Sequence, residues 1–115
     1  MRNLVAVVIT IAVAACGGGD EMSPVTVRVI KSLGSAQCTG GGTTVAVLLA
    51  QLSGAGVQVT ATSCGNDGLL YPAVCGAPDG ALGIFVIPTS QQIQADALGF
   101  MPMSSVPTAI VSACR

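Results

Sequence analysis

The chain has 115 residues, a formal net charge of −1, 51% hydrophobic residues and only 8% charged ones. Histidine is absent, which removes Ser-His-Asp and Cys-His catalysis and His-based zinc or iron sites. Beyond the first few residues the basic side chains are Arg28, Lys31 and Arg115, against Asp20, Glu21, Asp67, Asp79 and Asp96, so a nucleic acid would find no basic footprint and that partner class is excluded.

Met1-Arg2-Asn3 carries one positive side chain and leads into Leu4–Ala15, a run without charge. A helix needs about 20 apolar residues to cross a hydrocarbon core, and this run is shorter. A basic start, a short apolar stretch and small residues at its end predict a secretory signal peptide over residues 1–15. An ordinary cleaved signal would use Val13 and Ala15 as its small-residue site. Val13-Ala14-Ala15-Cys16, however, resembles the lipobox of bacterial lipoproteins, with Val13 where leucine is commoner. That resemblance implies that Cys16 becomes the mature N-terminus, carrying a diacylglycerol and usually a third acyl chain. Two or more chains hold a protein stably at a membrane. Residues 16–24, beginning Cys16-Gly17-Gly18-Gly19-Asp20-Glu21, then read as a lipidated tether. Gly17, in place of the aspartate that often retains lipoproteins at the inner membrane, points to the periplasmic face of the outer membrane.

Residues 25–115 read as a single domain. Val25–Lys31 alternates apolar and mostly polar residues, the period of a half-buried strand, with Val25, Val27 and Val29 turned to the core. After a loop over residues 32–42, Thr43 or Thr44 can cap a helix whose Val45, Leu48, Leu49 and Leu52 share one face. Gly54 or Gly56 ends it. Val57–Ser63 alternates again, so strand, helix, strand implies a right-handed crossover between parallel strands. Cys64-Gly65-Asn66-Asp67-Gly68 has turn chemistry, and Cys75-Gly76-Ala77-Pro78-Asp79-Gly80 repeats it. Ala81–Ile87 is nearly all apolar, as a central strand covered on both faces would be. Pro88 stops it, and Thr89 or Ser90 would cap a short helix with Ile93, Ala97 and Leu98 inward. Phe100–Met103 and Thr108–Ala113 supply the last strands. The predicted order β-α-β-β-α-β is that of the ferredoxin-like α+β fold.

The chain has five cysteines. With Cys16 assigned to lipid, Cys38, Cys64, Cys75 and Cys114 form an even set suited to disulfides in an oxidising compartment. Four cysteines allow three pairings, of which Cys64–Cys75 with Cys38–Cys114 is preferred here. The spacings lack the Cys-x-x-Cys of a thiol-exchange or metal site.

Several stretches invite a chemical role. Gly40-Gly41-Gly42-Thr43-Thr44 opens a helix, but a P-loop needs a following lysine, so a plain helix start is the simpler reading. Asn66, Asp67 and Asp79 lack EF-hand spacing and its closing glutamate; Asx-turns account for them, and neither metal nor cofactor is expected. Asp67 and Asp79 form the one carboxylate pair that a small hydrolase could use, while Asp96 falls on the wet face of the second helix. The connection Gly65–Gly80 is the preferred binding surface, with Asn66, Asp67, Tyr71 and Asp79 as its candidate residues, because a cross-linked loop loses little entropy on binding.

The stretches Cys64-Gly65-Asn66-Asp67-Gly68, Ala73–Gly80 and Ala97–Phe100 together resemble small uncharacterised exported proteobacterial proteins. The resemblance implies that the Cys64–Gly80 connection is a family feature and brings no activity with it. The expectation is a membrane-anchored envelope lipoprotein, a non-catalytic binding or structural module for an envelope protein or small ligand. The alternative is a small envelope hydrolase using Asp67 and Asp79.

Overall fold

The computed structural model describes residues 25–114, and the signal, Cys16 and tether assignments lie outside them. The described chain is a small α+β domain with β1 (Thr26–Ser32), α1 (Val45–Gly54), β2 (Ala61–Asn66), β3 (Ala81–Pro88), α2 (Gln92–Ala97), β4 (Met101–Pro102) and β5 (Ile110–Ser112). Short 3-10 turns occupy Thr89–Gln91 and Met103–Ser105. Among the described residues no helix is long and apolar enough to cross a membrane.

All five strands lie in one antiparallel sheet, in the order β4-β1-β3-β2-β5. β1 and β2 run in the same direction, as the strand-helix-strand order implies, but β3 is inserted between them and hydrogen-bonds to both. The apolar run Ala81–Ile87 thus takes the central place its composition demands. Val29 lies opposite Phe85 and Ile30 opposite Ile84, so one register serves both faces of the sheet.

On the helix face, Val29, Phe85 and Ile87 pack with Leu48, Leu52, Val57, Ala95 and Phe100. Thr44 caps α1 by accepting the Val47 amide at 3.2 Å, and Leu48 and Leu52 are its fully buried residues. The rings of Phe85 and Phe100 meet edge to face, with centroids 5.7 Å apart. Lys31 closes the rim. Its Nζ donates to the Leu98 carbonyl at 2.8 Å and to Gln51 at 3.2 Å, 5.1 Å from the Phe100 centroid.

The other face is covered without helices. β4 and β5 are at opposite edges, so residues 103–109 must cross between them, and Met103, Val106 and Ala109 pack on Ile30, Leu82 and Ile84. This segment is a strap over the back of the sheet.

Several local expectations are corrected. Val25 is 72% exposed, because it precedes the ladder and contributes only its carbonyl, to the Thr89 amide. Val57 and Val59 do pack inward, but β2 begins at Ala61 and runs through Cys64, Gly65 and Asn66, residues expected to turn. β5 running alongside lets the ladder continue to Asn66, and the turn starts with Asp67. Neither Thr89 nor Ser90 caps α2. The intervening 3-10 turn, tighter than an α-helix, shifts the helical phase. Ile93 is therefore 81% exposed and Ala97 is exposed, while Ala95 is buried and Leu98 half-buried.

The disulfides pair Cys38 with Cys75 and Cys64 with Cys114, each with Cα atoms 5.1 Å apart. This interleaved pattern replaces the preferred Cys64–Cys75 and Cys38–Cys114. Cys64 lies within β2, opposite Ser112 of β5, and that pairing brings Cys114 to it. Cys75 is carried instead to the loop that holds Cys38, where the Gly76 and Gln37 backbones bond to one another.

Candidate functional site

The connections 33–44 and 66–80 meet at one end of the sheet, beyond Ser32 of β1 and the start of β3. Backbone bonds join them: the Gln37 amide donates to the Ala77 carbonyl at 2.8 Å, the Gly76 amide to Gln37 at 3.1 Å, and the Asp79 amide to Ser35 at 3.3 Å. Cys38–Cys75 adds a covalent link between the same two segments.

All four predicted loop residues are gathered here, and all four act as braces. The Asn66 side chain accepts the Gly68 amide at 2.8 Å and donates to the Asp79 carbonyl at 3.0 Å. Oδ1 of Asp79 accepts from the Ser35 hydroxyl at 2.8 Å and the Ala81 amide at 3.0 Å. Oδ1 of Asp67 accepts the Leu69 amide at 2.9 Å, and its Oδ2 accepts the Tyr71 hydroxyl. These are the Asx-turn bonds that the residue types suggested, extended by side-chain partners. Gly80 is buried beneath them with φ +77°, and a Cβ there would lie 2.8 Å from Asp67 Oδ1, so only glycine fits.

The Tyr71 phenol is held above its ordinary pKa of 10.0, first because the Asp67 carboxylate accepts its proton in a hydrogen bond, then through desolvation and the adjacent negative charge. The phenol therefore keeps its proton, and its hydrogen bond to Asp67, to higher pH than a free tyrosine would.

Two cavities flank the brace. One, of about 470 Å³, lies between the start of α1 and the Cys64–Cys114 bridge, with Ser35, Asn66 and Asp79 on its wall. The other, of about 330 Å³, is bounded by Asp67, Tyr71 and Gly80. Among the described residues no group of three or more Cys, Asp or Glu side chains converges as metal ligands would.

Ser35 and Gln37 were missed by sequence reasoning. Gln37 Nε2 donates to the carbonyls of Pro72 at 2.9 Å and Pro78 at 3.2 Å, clamping both sides of the loop. What the braces hold outward is apolar. Leu70 is fully exposed, and Leu69 and Val74 are 52% and 57% exposed. Ile110 and Val111 of β5 add exposed aliphatic surface beside Asn66 and Gly65.

Comparison of the chain with protein families, with curated proteins and with solved structures returns no match.

Proposed function

We propose that the chain is an exported bacterial lipoprotein anchored through Cys16, most favourably at the periplasmic face of the outer membrane, whose domain is a non-catalytic binding module. The observation that carries this reading is Val13-Ala14-Ala15-Cys16 at the end of an uncharged apolar run. Support comes from the other four cysteines, which are all used in two disulfides. Cysteine use then divides cleanly into one residue for lipid and four for staples, as an oxidising compartment permits. The contact surface in this proposal is the braced connection Gly65–Gly80. The fold reading that goes with it is ferredoxin-like, with β5 added outside the β4-β1-β3-β2 set.

A hydrolase built on Asp67 and Asp79 has less support, since both carboxylates are engaged in turn-forming bonds. The test is the intact mass of membrane-extracted protein, alkylated before and after reduction. The expected mass is that of residues 16–115 plus acyl chains, with four thiols released only on reduction. A lipid-free mass with Cys16 titrating as a thiol would overturn the anchor.

A further inference from the structure

We infer that the 66–80 connection is a second membrane contact, an apolar wedge that seats Leu69, Leu70 and Val74 in the lipid surface to which Cys16 ties the chain. The inference rests on the lipoprotein reading. It reassigns the roles within the loop: Asn66, Asp67, Tyr71 and Asp79 set its shape, and the aliphatic side chains make the contact.

Three observations converge on lipid. The first is a rigid loop with its largest apolar groups in water. Leu70 is fully exposed, yet the segment carrying it is held by the Cys38–Cys75 bridge, the Tyr71–Asp67 bond and the Gln37 clamp. Holding aliphatic side chains out in this way costs free energy unless something covers them.

The second is the size of the patch. A stable protein interface takes about 800 Å² from each partner, more than three aliphatic side chains on a loop tip supply. A lipid contact needs only a few such groups when a covalent anchor already confines the domain to the surface. No charged residue lies between Gly68 and Pro78, so the tip carries no ionic group into the apolar layer.

The third is reach. Thr26 is opposite Pro88 and Ser32 opposite Leu82, so the chain enters at the end of the sheet away from the 66–80 connection. The seven residues of β1 separate the two ends by roughly 23 Å. The link from Cys16 to Val25 can span at most about 30 Å. Both the anchor and the wedge can therefore meet one bilayer, with the domain lying along it.

The chain has no tryptophan, which makes a clean probe possible. Leu70→Trp and, as a control on the exposed side of α1, Val47→Trp are introduced separately into the full chain. The purified protein is reconstituted in phosphatidylcholine vesicles with and without brominated acyl chains. Bromine is expected to quench the indole at position 70 strongly and the one at position 47 little, at low and high salt alike, because the contact is apolar.

Flotation of unlipidated Cys16→Ser protein, after removal of its signal, is expected to show weak vesicle binding. Leu69→Gln with Leu70→Gln should lower it by about tenfold or more, with both disulfides retained. Equal, weak quenching at both positions in protein whose mass includes acyl chains would overturn the wedge and leave the anchor standing. Shielding of position 70 only when envelope proteins are added would overturn it in favour of a protein partner. A lipid-free native mass would remove the anchor, and an unchanged flotation of the double variant would then remove the wedge as well.

Discussion

The two faces of the sheet are sealed by different means. On the helix face, α1 lays Leu48 and Leu52, and α2 lays Ala95, over Val29, Phe85 and Ile87, and the aromatic pair Phe85–Phe100 packs among them. On the back, only Met103, Val106 and Ala109 cover Ile30, Leu82 and Ile84, from a segment with little regular structure. The first face is stable because it removes much apolar surface from water. The second depends on its strap being held at the ends. One end is β4, paired to β1; the other is β5, paired to β2 and closed by Cys64–Cys114. Between them Thr108 donates from Oγ1 to the Asp67 carbonyl at 2.6 Å. A domain this small thus replaces a third layer of helix with a covalent closure.

The comparison can be broken from either side. Phe85→Ala strikes the helix face at its largest buried side chain and should cost about 3–5 kcal/mol, read as a fall in the denaturation midpoint at unchanged slope. Replacing Cys64 and Cys114 together by serine removes a bridge that spans 50 residues, and should cost about 4 kcal/mol or less in the chain-entropy account. Here the distribution of the loss matters as much as its size. Hydrogen exchange should accelerate at the β2–β5 ladder while the β1–β3 ladder stays protected. Uniform acceleration would mean that the strap and the helix face unfold as one unit.

Thr108→Val sharpens the point, since it removes one tie between strap and loop. The expected loss is about 1 kcal/mol, read in the same denaturation series. The smallest effect is spectroscopic. Tyr71 is the only tyrosine, so its phenol can be titrated by ultraviolet absorbance without interference; it should ionise above 10.0, and Asp67→Asn should bring it down. The raised pKa favours the folded state below pH 10.0. That contribution is lost as pH rises through the folded value, so the Tyr71–Asp67 tie should give way in alkali.

The parts legible in the sequence are those whose causes are local. α1 announces itself through a capping threonine and a helical stripe of Val45, Leu48, Leu49 and Leu52, and β3 through an unbroken apolar run. Asn66, Asp67 and Asp79 are recognisable as turn formers because their bonds reach backbone amides only two residues on. Ser35 and Gln37 are not, because their side-chain partners lie 35 to 44 residues away. The strap is invisible for a similar reason. Residues 103–109 show no period of either kind, and the fold alone decides that they cross from one edge to the other. Burial along Val57–Val59 follows from the alternation, but the start of β2 depends on where β3 offers partners.

The interleaving of the two bridges bears on survival outside a protected compartment. Every peptide bond between Cys38 and Cys114 lies within at least one bridged segment, and those between Cys64 and Cys75 lie within both. A protease that cut the exposed loop at Leu70 would sever the backbone without releasing a fragment. Reducing either disulfide alone would still leave the two pieces joined. The fully exposed Leu70 thus sits where the covalent detour is redundant, so a nicked molecule keeps its parts together.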